Sequence, residues 1–308
     1  MKISIVGAGN VGSLTALRLA QESIGEVLLI DIVKGLALGK ALDMEDARPI
    51  VLRNYGIQGS EDIGQLAGSD MIILTAGLAR KPGMTREELL KKNAEILKEI
   101  CGSLKKLAPK AKVIVVTNPL DLMTYFVLRE TGFSPDQVMG MGASLDAARF
   151  ANLISQELKA SVLDIDACVI GSHGEEMLPL PRFSQVKGIA LDELLDDAKI
   201  ETLVKRTVSR GLEIVTLLGS GSAYFAPSAA ITSLVKTILK DEKRTIGVSA
   251  YLNGEYGVKD VCIGVPCRLG KTGIEKIIEL ELNQEEKEKF NASAQALSQL
   301  IKQLPCSK

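Results

Sequence analysis

A chain of 308 residues, 46% hydrophobic and 24% charged, has the composition of an ordinary globular protein with enough apolar content for one large domain or two. A formal net charge of −1 gives no electrostatic case for nucleic acid or an anionic membrane surface, and no apolar run approaches the roughly 20 residues that a membrane span needs. The five cysteines (Cys101, Cys168, Cys262, Cys267 and Cys306) lack zinc-site spacing, so no metal is expected; most read as reduced core residues, with Cys306 exposed in the tail.

The first expected element is an apolar strand over residues 2–6, which leaves no room ahead of it for a targeting segment and points to the cytosol. Gly7-Ala8-Gly9-Asn10-Val11-Gly12 follows at once and leads into a helix whose Leu14, Leu17 and Leu19 are apolar. A second apolar run over 26–30 ends on Asp31. Strand, glycine turn, helix, strand and terminal acid form a βαβ unit for a dinucleotide. Gly7 turns the chain sharply, Gly9 leaves room for a pyrophosphate, and Gly12 lets the helix pack closely on the sheet. The helix start offers unpaired N–H groups to the phosphates. Asp31 is placed to accept from the ribose hydroxyls and would repel a 2′-phosphate, so NAD is favoured over NADP.

Residues 34–48 have a helical pattern closed by Pro49, and 51–57 is a candidate third strand. Met71 to Thr75 is a buried-type strand running into Ala76-Gly77, small residues that let a ligand lie against the backbone. The basic Pro-Gly segment 78–86 reads as a mobile loop. Thr85 is a helix cap with Glu87 and Glu88 in the favoured first turn of a helix reaching Leu107. Another apolar strand at 112–116 ends in Thr117-Asn118-Pro119, followed by a helix over 121–130 and a short strand over 137–141. This alternation implies a doubly wound parallel sheet of the Rossmann type, an α/β fold, over residues 1–142.

Beyond Gly142 the texture changes to that of a closely joined α+β substrate domain over 143–308. Ser144 is expected to cap a helix over 145–159 that carries Asp146 and Arg149 on one face. A strand-like stretch at 163–170 ends in Gly171-Ser172-His173-Gly174. Helices are expected over 192–218, 223–239 and 285–303, and paired strands over 243–253 and 258–268.

Several residues have two readings. His173, the sole histidine, is either a satisfied loop residue or a proton acceptor oriented by Asp146. Arg149 either forms a structural salt bridge with Asp146 or grips a substrate carboxylate with two parallel hydrogen bonds. Arg80 and Arg86 on the Pro-Gly loop are either solvated surface or charges brought over a substrate as water is excluded. Asn118 is either an Asn-Pro turn residue or a donor to substrate or cofactor ribose.

Taken together, GAGNVG with Asp31, TAGLARKPGMTREELLKKN, VVTNPLD, GMGASLDAARF and GSHGEEMLPL resemble the lactate and malate dehydrogenases over nearly the whole chain. The resemblance implies that His173 exchanges the proton at the substrate oxygen with Asp146 as its partner. It implies that Arg149 holds the carboxylate beside the reacting carbon, that Arg86 polarises the carbonyl and that Asn118 assists. It further implies that Asn93, Val116, Thr117 and Asn118 line the NAD site together with residues 7–12 and Asp31. Arg80 stands where malate dehydrogenases carry arginine and lactate dehydrogenases commonly glutamine. The implied reaction is NAD-dependent oxidation of (S)-malate to oxaloacetate by a homo-oligomer. Oxidation of lactate or another 2-hydroxy acid, or a nucleotide sensor without chemistry, are the alternatives.

Overall fold

The computed structural model describes residues 1–78, 85–219 and 221–305, with the exception of the Arg86 side chain. Arg80, with the rest of the Pro-Gly loop expectation over 79–84, and Cys306 lie outside the described residues.

The first half alternates as the apolar runs require. Its elements are β1 (Lys2–Val6), α1 (Asn10–Gln21), β2 (Glu26–Ile30), α2 (Leu36–Asp46), a one-turn α3 (Arg48–Val51), β3 (Ile57–Ser60) and β4 (Met71–Leu74). The series continues with α4 (Arg86–Leu107), β5 (Lys112–Val115), α5 (Leu120–Thr131) and β6 (Val138–Gly140). All six strands pair in parallel, in the order β3-β2-β1-β4-β5-β6. Ile3, Ile5, Leu29, Ile72, Ile73 and Ile114 are buried because helices cover both faces, each side chain contributing about 1.5–3 kcal/mol on removal from water. The order reverses between β1 and β4, the crevice in which such sheets bind nucleotides.

The second half begins with α6 (Gly142–Leu158), then runs through β7 (Ile165–Asp166), β8 (Val169–Gly171), β9 (Met177–Pro179), β10 (Gln185–Val186) and β11 (Ile189–Ala190). It closes with α7 (Leu191–Leu194), α8 (Asp197–Leu218), α9 (Phe225–Leu239), β12 (Arg244–Asn253), β13 (Lys259–Gly270), β14 (Gly273–Ile277) and α10 (Gln284–Ile301). Ser249 of β12 pairs antiparallel with Gly140 of β6, so β12, β13, β8 and β9 extend the first sheet, with β14 branching from β13. One contiguous apolar core runs from Ile5 and Leu29 through Val115 to Val248, Ile263 and Leu297. A smaller one holds Phe150, Leu153, Val169, Leu191 and Leu203 between α6 and α8.

Four sequence expectations are corrected. Pro49 does not end a helix; it occupies the first turn of α3, where its missing N–H costs nothing. The third strand therefore starts only at Ile57. The stretch 163–170 splits into a 3₁₀ turn, β7 and β8 because Asp164 and Asp166 interrupt its apolar pattern. Ser144 lies inside α6, which starts at Gly142, and its hydroxyl donates to the Met141 carbonyl instead of accepting from a free N–H. Thr85, by contrast, caps α4 in a reciprocal box with Glu88, each side chain accepting from the other's backbone N–H.

Candidate active site

At the end of β1 the chain turns at Gly7, which has φ +110°. A Cβ there would fall 2.7 Å from Thr75 Oγ1, and one on Gly12 would fall 1.9 Å from the Gly7 carbonyl oxygen. Glycine at both positions lets α1 sit directly on the turn. Gly9 is the N-cap of α1, no side chain caps it, and the space where its Cβ would lie is open. Unfilled room before uncapped N–H groups suits a pyrophosphate. Asn10 is exposed and Val11 half-buried beside it.

Asp31 reaches back from β2 to this turn. Its Oδ2 accepts from the Ala8 N–H at 2.7 Å and its Oδ1 from the Val33 N–H at 2.9 Å. Each oxygen keeps a second lone pair, so a ribose hydroxyl can still donate to it. Lys40 on α2 donates to the Ala8 carbonyl at 2.6 Å, and this peptide is therefore held from both sides. Lys40 is not legible as a site residue in the sequence, because nothing in a helical repeat shows that its ammonium folds onto a turn 32 residues earlier.

The ends of β4 and β5 are tied together by Asn93 of α4. Its Nδ2 donates to the Asn118 carbonyl at 2.7 Å and its Oδ1 accepts from the Leu78 N–H at 2.7 Å, and the residue is fully buried. Asn93 therefore shapes the ends of β4 and β5 through their backbone. Thr117 is also buried, donating to the Ala76 carbonyl at 2.7 Å, whereas Val116 is half-buried and Asn118 exposed.

His173 sits beyond β8, and its ring lies against the start of α6, at the carboxyl end of β6. A Cβ on Gly142 would meet His173 Cβ at 2.7 Å and Cγ at 2.8 Å, so this glycine makes room for the imidazole. His173 Nδ1 is 2.7 Å from Asp146 Oδ2, and Asp146 Oδ1 accepts from Arg149 Nη1 at 3.2 Å. The two readings of Arg149 thus share one geometry: it does pair with Asp146, but on the oxygen that His173 leaves free. The Asp146 side chain is 1% exposed, Arg149 12% and His173 15%, so imidazole and guanidinium both reach a solvent-facing surface over a buried acid. Arg149 Nε is buried without a partner among the described residues, an unused donor on a cation.

Burial disfavours charge on the imidazole, yet the charge and hydrogen bond of Asp146, with the charge of Asp121, outweigh it and hold the His173 pKa above its ordinary value; Arg149 opposes them. Burial likewise lowers the Arg149 pKa, against the pull of Asp146. Among the described residues no group of His, Cys, Asp and Glu side chains could hold a metal ion.

Asp121 was not singled out as functional from the sequence. It stands in the first turn of α5, 3% exposed, and its Oδ2 accepts from the His173 N–H at 2.7 Å and the Ser172 hydroxyl at 3.1 Å. The available signal was a carboxylate in LDLMTYFVL, a stretch otherwise free of charge.

A glycine turn open to a dinucleotide, at the same sheet edge as a histidine–carboxylate pair with an arginine beside it, is the arrangement of a nicotinamide-dependent oxidoreductase. The family models agree with it: the lactate/malate dehydrogenase NAD binding domain matches residues 1–140, and the lactate/malate dehydrogenase alpha/beta C-terminal domain matches 143–305. The chain belongs to the lactate/malate dehydrogenase family. It is 48% identical to a malate dehydrogenase of Methanosarcina mazei over 304 residues, 99% of both chains. The malate dehydrogenase structure from Cryptosporidium parvum superposes with a TM-score of 0.95 at 39% identity, covering 98% of both chains. The lactate dehydrogenase of the same organism, solved with lactic acid and nicotinamide adenine dinucleotide, also gives 0.95 but at 34% identity, covering 100% of this chain and 98% of that one.

Proposed function

We propose that the chain oxidises (S)-malate to oxaloacetate reversibly, with NAD as hydride acceptor. The observation that carries this reading is the 2.7 Å contact of His173 Nδ1 with Asp146 Oδ2, which leaves Nε2 for the substrate. NAD supplies the carbon that accepts or returns hydride. Neutral His173 takes the hydroxyl proton at Nε2 as the substrate C2–H bond gives up its hydride and C2–O becomes a carbonyl. Protonated His173 returns that proton in reduction, with Asp146 stabilising the imidazolium in between. Arg149 holds the carboxylate next to C2 with the part of its guanidinium that reaches the surface. Gly7, Ala8, Gly9, Asn10, Val11, Gly12 and Asp31 bind the dinucleotide, Asn93, Val116, Thr117 and Asn118 frame its nicotinamide end, and Asn118 also donates to substrate.

Arg86 polarises the substrate carbonyl, and Arg80 pairs with the second carboxylate that malate has and lactate lacks. Enclosing that carboxylate unpaired would cost several kcal/mol, and with pyruvate Arg80 would itself be left unpaired. The names carried by the relatives at 45–48% identity favour the dicarboxylate. No helix among the described residues is long and apolar enough to cross a membrane. Free buried thiols at Cys101, Cys262 and Cys267 suit the cytosol, where we place the enzyme. Exposed apolar side chains at Ile50, Leu52, Leu212 and Leu217 offer surface for a homo-oligomer.

The test is NADH oxidation with oxaloacetate and with pyruvate, in the wild type and in Arg80→Gln. The expected result is a strong preference for oxaloacetate that moves toward pyruvate in the variant. Equal turnover of both acids, or a preference untouched by R80Q, would overturn the substrate assignment.

A further inference from the structure

The reaction as described uses one carboxylate, Asp146, to support His173. A second carboxylate faces the same histidine from a different helix. Asp121 Oδ2 takes the main-chain N–H of His173 and the Ser172 hydroxyl. The same turn is held from α10, where Ser293 Oγ accepts from the Ser172 N–H at 3.0 Å. Among the described residues, the buried Asp121 Oδ1 and the buried Ser249 Oγ of β12 have no aligned hydrogen-bond partner, though Ser249 lies near enough to favour the carboxylate anion. A buried acid with one oxygen unsatisfied costs stability, and a role for its charge explains its presence.

We propose that Asp121 is a positioning residue of the proton-transfer site: it anchors the His173 backbone and keeps a negative charge near the ring, so that acids from two helices together stabilise the imidazolium. This rests on the reading of His173 as the proton acceptor. Among the described residues the charged groups facing the imidazole are Asp146 and Arg149 from α6 and Asp121 from α5. The neighbouring residues on the other packed elements are the neutral Ser249 and Ser293 and, against Asp121, the β13 thiol Cys262, which burial holds protonated well above its ordinary pKa. Burial is the larger effect and holds the Asp121 carboxyl above its ordinary pKa, while Ser249, the His173 charge, the His173 N–H and Ser172 pull it back toward the anion. Asp121 and His173 therefore stabilise each other's ionised forms. With Asp146 already taken up partly by Arg149, the α5 carboxylate supplies charge that the α6 pair alone lacks.

Asp121→Asn isolates the charge. Its amide oxygen can still accept from the His173 N–H and Ser172, and its Nδ2 can donate to the neighbouring Ser249 hydroxyl. Since His173 is the only histidine, a ¹⁵N-histidine NMR titration of the full-length, untagged protein reads this ring alone. The expected result is a folded D121N protein whose imidazole titrates about one unit lower, a tenfold loss of proton affinity. The acidic limb of malate kcat/KM should move down by the same amount. Asp121→Ser, which leaves space for a water to meet the two donors, takes the same test should D121N not fold. A folded neutral variant whose imidazole titrates where the wild type does would overturn the proposal, since a merely structural Asp121 leaves that midpoint in place. The titration needs no turnover, so absence of malate oxidation would count against the proposed reaction and not against this inference.

Discussion

His173 shows how one residue's chemistry is set by groups far from it in sequence. Its Nδ1 is fixed by Asp146, its main-chain N–H by Asp121 and its ring position by the missing side chain at Gly142. With its pKa raised, the ring is protonated to a higher pH than a free histidine. Malate oxidation needs the neutral base, so its kcat/KM should climb as pH rises through the raised value. Oxaloacetate reduction needs the imidazolium and should fall over the same window. Steady-state profiles in both directions check this, and parallel limbs in the two directions would contradict it. At this scale the sequence was partly legible. A lone histidine in Gly-Ser-His-Gly and an Asp–Arg pair one helical turn apart are local patterns. Asp121 and Gly142 were not legible in their roles, because each meets His173 only through the tertiary fold, one by its backbone and one by having no Cβ.

The elements carry the site to one sheet edge. The turn after β1, the ends of β4 and β5 and the start of α6 all lie at the carboxyl ends of parallel strands, where the order of strands reverses and continues. Asn93 is the tie among them. Asn93→Leu, close in size but unable to bond Leu78 or Asn118, should cost about 1 kcal/mol by removing hydrogen bonds to part-buried backbone groups. Urea unfolding measures the loss, and the KM for NAD should rise with it; wild-type stability and KM would show that the tie is dispensable. Sequence patterns located α1, α4, β4 and β5 because glycine spacing, the Thr85 cap with acids in the first turn and unbroken apolar runs are local signals. They failed at α3 and at 163–170, where Pro49 was compatible with starting a turn as well as ending one and where acids broke an apolar stretch into pieces.

Across the whole molecule, the parallel half and the antiparallel half share a sheet through Ser249 and Gly140 and share the larger apolar core. Residues as far apart as Ile5 and Leu297 belong to that core. Scanning calorimetry is therefore expected to give one cooperative transition for the chain, and two well-separated transitions would show that the halves at 1–142 and 143–308 fold as independent units. Composition predicted that such a core was affordable in length and polarity, but the continuous sheet was not readable, since an antiparallel strand from residue 244 onward shows no sign of its partner over 100 residues earlier.

The dehydrogenase account stands on proton exchange by a single imidazole. His173→Gln removes that base while keeping a polar side chain of similar reach, and fluorescence titration can verify that NADH still binds. Turnover of oxaloacetate is expected to fall by about 10²–10⁴-fold with NADH affinity retained. Oxaloacetate reduction near the wild-type rate by the folded variant would contradict it.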